Sequence, residues 1–320
     1  MVHITFNVQE GEGPDLSEEY KVGHTYPVFI LTDSEGEIIY RWTGYTGVRP
    51  FITSLNKALS DLTTVKDRIA QFEASPSFGV AVMLANYFSD TGEHLEAIDF
   101  FHRADALKPN PTIDYSYNIF SNTANAAWKG MIPFEDVLPI ADTIVFGGRK
   151  NRNNAIKVAR VMSRLARKLE KEGQVKKYLQ AGIDLTANAR DEKNKNTHNA
   201  LKVEYMLQIE HDTVKAIAAQ KSSLGPDWLR NPEKFYTFAK WCLERRVNLP
   251  EAEYLARQAA KYAQEGDFKA QVYNTVAELC YVQGKLAEAV EFADLAIGQD
   301  PGNTNYQDNQ DRYLEEWEKR

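Results

Sequence analysis

Three sets of residues in this 320-residue chain are of types that do chemistry. The first is a pair of thiols, Cys242 and Cys280. Two cysteines cannot build a disulfide framework or a structural zinc site, and each reads as a small buried apolar residue. The second is His94, Asp99 and His102, which lie close in sequence and invite an acid–base or metal reading. No further acid or cysteine stands at ligand spacing beside them, so they read as surface residues, and no metal or cofactor is expected. The third is a run of cations, Lys157, Arg160, Arg164, Arg167, Lys168 and Lys171, three and four apart on one side of a helix. Val158, Met162, Leu165 and Leu169 fall on the other side. Segment Arg149–Lys177 holds eleven Lys or Arg against Glu170 and Glu172, a charge of +9, so with −7 overall the rest of the chain carries −16. Two readings stand: an anion-binding face for an acidic protein, nucleic acid or phospholipid, or a solvated helix face without aromatic interleaving. The chain shows no Gly-rich phosphate loop, nucleophile elbow or paired-carboxylate motif, and no catalytic residue is assigned.

Composition narrows the class. An apolar fraction of 43% excludes wholesale disorder. The net charge of −7 opposes non-specific nucleic-acid binding, so no nucleic-acid partner is expected. Apolar runs are far too short to span a membrane. No charged-then-apolar leader follows Met1, so a cytoplasmic protein is the default expectation.

The elements that must carry these residues fall into two regions, 1–61 and 62–320. In the first, Ile4–Val8 reads as a strand, Leu16–Tyr20 as a short helix and Pro27–Leu31 as a buried strand. Asp33–Gly36 is a hairpin turn, Glu37–Trp42 its second arm, and Val48–Leu59 a helix with Phe51, Leu55 and Leu59 on one face. From residue 62 the spacing predicts helix after helix, with short connections at Gly92, Gly130, Gly173 and Gly284. The clearest unit, Phe78–Asn110, carries Ala81, Leu84, Ala85, Phe88, Gly92, Ala97, Phe101, Ala104 and Pro109. A second, Ala270–Pro301, carries Tyr273, Val276, Ala277, Cys280, Gly284, Ala289, Ala293 and Ala296. A third, Glu233–Gln264, has Tyr236, Ala239, Leu243, Ala252, Ala256 and Ala259. Three weaker helix pairs are read at 114–146, 153–190 and 196–222. Thr304–Arg320 is a polar final helix with Tyr313, Leu314 and Trp317 on its inner side.

These units resemble the tetratricopeptide repeat (TPR), a 34-residue pair of antiparallel helices A and B whose small residues let the helices approach. The resemblance implies a mainly α protein, a TPR-like α-solenoid closed by a polar capping helix, and a protein or peptide partner held by the A helices. The outward A-helix positions are Lys234, Trp241, Arg245, Asn274, Glu278 and Tyr281, with Asn86 and Asp90 in the first unit. Trp, Tyr and Arg dominate interface hot spots, although Trp241 can equally pack against a neighbour. Val82 stands where the family's carboxylate clamp has its first Lys, so that specificity is not carried over.

Residues 4–60 resemble the C-terminal portion of a thioredoxin-like domain. Gly13–Val22, Tyr26–Leu31, Asp33–Gly36 and Gly44–Tyr45 carry the likeness, and they imply an incomplete α/β module with Pro27 as the family's cis-proline. Tyr26 and Pro27 would then either pair with a peptide strand or form a structural turn. The family's Cys-X-X-Cys has no counterpart before Cys242, so no low-pKa thiolate is read. The partner strand of Ile4–Val8 is also missing: the recorded start is late, the strands re-pair, or another chain fills the gap. Two functions follow. One is a non-catalytic interaction scaffold. The alternative is a thiol–disulfide oxidoreductase whose redox half lies upstream, in which case a periplasmic or secreted location is expected.

Overall fold

From residue 48 onward apolar residues recur three and four apart, and the chain answers with helices. The computed structural model describes residues 4–8, 11–23, 26–148 and 151–319. It divides into two compact units, 15–188 and 189–320, the latter grouped with residues 1–14.

The unit 15–188 opens within α1 (Gly13–Glu19), then holds β1 (Val28–Thr32), β2 (Ile38–Thr43), α2 (Val48–Leu59) and α3 (Val65–Ala74). β1 and β2 form an antiparallel two-stranded sheet in the register Phe29 opposite Trp42 and Ile30 opposite Arg41. A lone hairpin is marginal in water, and this one is held from both faces. Phe29 stacks on Trp42 at 5.1 Å and meets Phe51 of α2 edge-on at 5.0 Å. Arg41, buried, donates to the carbonyls of Tyr20 and Lys21 that follow α1. The Tyr26–Pro27 bond is cis, as the resemblance implies. Residues 4–8 do not form the expected strand; the only sheet among the described residues is the β1–β2 hairpin, so that segment has no ladder partner.

Three helix pairs follow in this unit: α4 (Phe78–Asp90) with α5 (His94–Leu107), α6 (Ser116–Trp128) with α7 (Leu138–Phe146), and α8 (Arg152–Lys168) with α9 (Lys176–Thr186). In the first pair Ala81, Ala85, Ala97 and Ala104 are fully buried at the crossing, and Phe88 stacks on Phe100 beside them. The unit 189–320 holds α10 (Glu192–Gln208) with α11 (Thr213–Ser223), α12 (Pro232–Arg245) with α13 (Leu249–Tyr262), α14 (Asp267–Val282) with α15 (Leu286–Gln299), and a final α16 (Thr304–Glu318). All six sequence-read pairs are present. The chain is mainly α, built of TPR-like helix pairs, with a small N-terminal sheet.

One backbone device ends the A helices α4, α6, α8, α12 and α14. After α4, the Glu93 N–H reaches back to the Phe88 carbonyl, with Gly92 left-handed between them. The same closure uses Gly130 after α6 and Gly284 after α14, and these are glycines because only they enter that region freely. After α8 and α12 the left-handed residue of the same closure is Glu170 and Arg246; α10 closes one residue wider, the Asp212 N–H reaching the Met206 carbonyl around a left-handed His211. Gly173 lies in the α8–α9 connection, as read, three residues past the left-handed Glu170.

On α16, Tyr306 and Tyr313 are buried, but Trp317 is 48% exposed and not on the inner side. Among the described residues no helix is long and apolar enough to cross a membrane.

Candidate functional site

The A helices α6 and α8 lie side by side in parallel, and their contacts show it. Tyr117, in the first turn of α6, holds the Lys157 ammonium over its ring at 4.8 Å. Trp128, the last residue of α6, holds Lys168, the last of α8, at 5.7 Å. Both pairs are offset by 40 residues, so start meets start and end meets end. Hydrogen bonding at the α8 start is equally local: the Asn151 side chain accepts from the Asn154 N–H, which sets the first turn.

Between those two pairs α8 presents Arg160 and Arg164, both exposed. Their charges act on the Tyr117 hydroxyl, but burial dominates and raises its pKa. On the opposite side Val158, Met162 and Leu165 are buried in the unit's core. Lys171 pairs with Glu135 at 3.3 Å, and Arg167, half-buried, is partnered within the fold. Among the described residues no carboxylate pairs with Lys157, Arg160, Arg164 or Lys168. Arg149 and Lys150, counted in the basic segment, lie outside the described residues. Aromatic interleaving, absent from the α8 sequence, is supplied by α6: Trp128 is 49% exposed beside Lys168.

The A-helix face of 189–320 is chemically different, because its polar groups satisfy one another. Arg245 of α12 donates through Nε to Glu204 of α10 at 2.9 Å, and its guanidinium lies 5.1 Å from the Trp241 ring centroid. Trp241 does not point outward; it is 8% exposed and stacks on Phe238. Lys234 is half-buried and donates to the Leu224 carbonyl at 2.7 Å. On α14 the three predicted positions are each met by α16. Asn309 donates to Asn274 at 3.1 Å, Arg312 pairs with Glu278, and the Tyr281 hydroxyl donates to Glu316 at 2.7 Å. Offsets of 35, 34 and 35 residues are the repeat length written in side chains. The capping helix thus occupies Asn274, Glu278 and Tyr281, an arrangement that the alternation of sequence positions did not reveal.

The remaining predicted residues lie in 15–188. Asn86 is exposed on α4, its amide returning to the Val82 carbonyl. Asp90 is exposed at the end of the same helix. Tyr26 and Pro27 are exposed beside the hairpin, and the Pro27 carbonyl accepts from the Gly44 N–H at 2.7 Å. His94 corrects the surface reading. It is buried, its Nδ1 is 3.0 Å from Asn122 Oδ1, and burial holds its pKa below the ordinary value. Asn122 of α6 is the partner that makes this burial tolerable. His102 is exposed.

The two thiols are buried and free. Burial pushes each up to about 12, so neither supplies a thiolate at neutral pH. Glu253, Cys280 and Glu288 bring ligand atoms within 4.8 Å of one another. The positive charge there is already supplied. Arg257 donates to Glu253 at 2.9 Å, to Cys280 Sγ at 3.3 Å and to Glu288, and Lys285 reaches Glu253 at 2.7 Å.

No family model matches the chain, and no curated protein matches it in sequence. Among solved structures it is similar to a tetratricopeptide repeat protein from Parabacteroides merdae, at 11% identity and a TM-score of 0.49 over 78% of this chain and 91% of that one. It is also similar to the TPR2AB-domain:pHSP90 complex of yeast Sti1 (16% identity, TM-score 0.26, 74% of this chain and 96% of that one). A third is Naa15/Naa10 bound to HypK-THB, at 15% identity and a TM-score of 0.30, covering 78% of this chain and 47% of that one.

Proposed function

We propose that the protein is a non-catalytic interaction scaffold whose A helices hold a protein or peptide partner. One observation carries the reading. The A-helix face of 189–320 spends its charges on itself, whereas the α6–α8 face leaves four cations without a carboxylate among the described residues and an exposed indole beside them. Unsatisfied charge next to an aromatic side chain is what a recognition surface offers before its partner arrives. Tyr26, Pro27 and Asn86 are exposed and stay candidates for further contact. Lys234, Trp241, Arg245, Asn274, Glu278 and Tyr281 belong to packing and internal pairing in this reading.

A photo-crosslinking residue placed in living cells at Asn125, exposed on α6, should trap a protein of defined mass. The same residue at His102 on the B helix α5 should trap none. Equal trapping at both positions, or none at Asn125, would overturn the reading.

The order β1, turn, β2, α2 is that of the end of a thioredoxin domain, and it supports the second reading, a thiol–disulfide oxidoreductase with its redox half outside these residues. Insulin reduction by this chain, above the dithiothreitol background and surviving replacement of Cys242 and Cys280 by Ser, would go against both readings as they place the chemistry.

A further inference from the structure

We infer that the α6–α8 face takes an extended acidic segment of a partner protein, bound along its length rather than by a chain terminus. The inference rests on the scaffold reading and names the partner's chemistry. Lys157 and Lys168 lie eleven residues apart on α8, which a rise of about 1.5 Å per residue makes about 16 Å. Arg160 and Arg164 stand between them, one turn apart at about 6 Å. Alternate side chains of an extended peptide repeat at about 6.6 Å, so carboxylates at every second residue meet successive cations. A single terminal carboxylate would satisfy only one of the four.

The two lysines at the ends are fixed by the Tyr117 and Trp128 rings. Such seating reduces the freedom lost when a carboxylate arrives. The two arginines in the middle present planar forks suited to bidentate carboxylate contacts. The pattern favours a protein segment over a nucleic acid for two reasons. Each ring already holds an ammonium over it, Lys157 over Tyr117 and Lys168 over Trp128, which competes with stacking on a base. And the −16 borne by the sequence outside the basic segment repels a long polyanion, whereas a segment of four to six carboxylates fits within the strip.

The test uses a twelve-residue peptide of alternating Glu and Ser, acetylated and amidated, carrying a fluorophore for anisotropy. The whole chain should bind it in low salt, and 300 mM NaCl should weaken binding at least tenfold. The double variant Arg160→Glu/Arg164→Glu should lose at least tenfold in affinity with unchanged circular dichroism. Lys240→Glu/Lys261→Glu, the same charge change on exposed positions of α12 and α13, should change it less than twofold. Four results would overturn the inference. They are no binding at millimolar peptide, equal losses in both variants, binding that appears only when the peptide has a free C-terminal carboxylate, and tighter binding of a single-stranded oligonucleotide or anionic vesicles lost on the same Arg reversal. Any of these together with a protein trapped at Asn125 would leave the scaffold reading standing and remove only the partner's chemistry.

Discussion

Arg245→Met should destabilise the 189–320 unit by about 3 kcal/mol, because it takes the neutralising cation from a buried carboxylate and leaves it the Gln208 amide, which donates to Glu204 at 2.8 Å. Glu204 and Arg245 are 10% and 14% exposed at the side chain. At the 2.9 Å Nε–Oε1 distance and an effective dielectric of 20, the gross attraction is about 6 kcal/mol. Most of that is offset by the cost of taking both charges out of water. Breaking such a pair from one side typically costs about 3–5 kcal/mol, and the residual exposure places this one at the lower end. The loss of the guanidinium over Trp241 adds about 0.5–1 kcal/mol. Replacing both residues with Met removes the unneutralised charge, so Glu204→Met/Arg245→Met should cost about 1–2 kcal/mol, less than either single variant. Urea denaturation followed by circular dichroism gives the energies, and hydrogen exchange of α10 and α12 assigns the transition to this unit. A single-variant cost below 1 kcal/mol, or a double-variant cost equal to the sum of the singles, would refute the reasoning that the pair is a buried, mutually dependent one.

Glu170→Gly should stabilise the chain by about 0.5–1 kcal/mol, since relief of the left-handed conformation, about 1–2 kcal/mol, exceeds the added entropy of an unfolded glycine; a lower urea midpoint would mean that the Glu170 side chain contributes more than its backbone costs. Cys242 and Cys280 should resist a neutral disulfide reagent at pH 7.5 in the native chain and react on addition of denaturant, given thiols pushed up to about 12; fast native labelling of either would contradict their burial. His94 has its folded pKa lowered by burial, so the unfolded chain takes up the proton first as pH falls. The neutral imidazole's contribution is therefore fully present above the unfolded value near 6.5 and is lost as pH drops through the folded one. His94→Gln should flatten the fall in urea midpoint between pH 7.5 and 5.5, and an unchanged slope would assign that fall to other groups.

The helix pairs were legible because alanines and aromatics recur at fixed offsets, as at Ala85, Ala97, Phe88 and Phe101. Their ends were legible only where glycine marks them. Gly92, Gly130 and Gly284 close A helices as read, but Glu170, His211 and Arg246 adopt the same left-handed conformation with no compositional sign; Gly173 marks the α8–α9 connection but not its left-handed residue. The basic face of α8 was visible from its own spacing. What completes it was not, because Tyr117 and Trp128 come from a helix 40 residues earlier and local periodicity says nothing about which A helix lies alongside. For the same reason Asn274, Glu278 and Tyr281 read as open groove positions, although α16, one repeat length on, supplies a partner for each. Likewise the strand expected at Ile4–Val8 rested on local pattern alone, and a strand exists only with a neighbour to bond.

The most direct measurement of the scaffold account is a covalent footprint. A lysine-acylating reagent and an arginine-selective dicarbonyl would be applied to the purified chain and to the chain isolated with its crosslinked partner. Lys157, Arg160, Arg164 and Lys168 should label readily in the free chain and be protected in the complex, while Arg245 and Arg312 stay slow in both. Labelling of the α8 cations that is unchanged by the partner, or Arg245 and Arg312 as reactive as Arg160 in the free chain, would contradict the division between an open A-helix face on α6–α8 and a self-paired one on α10–α16.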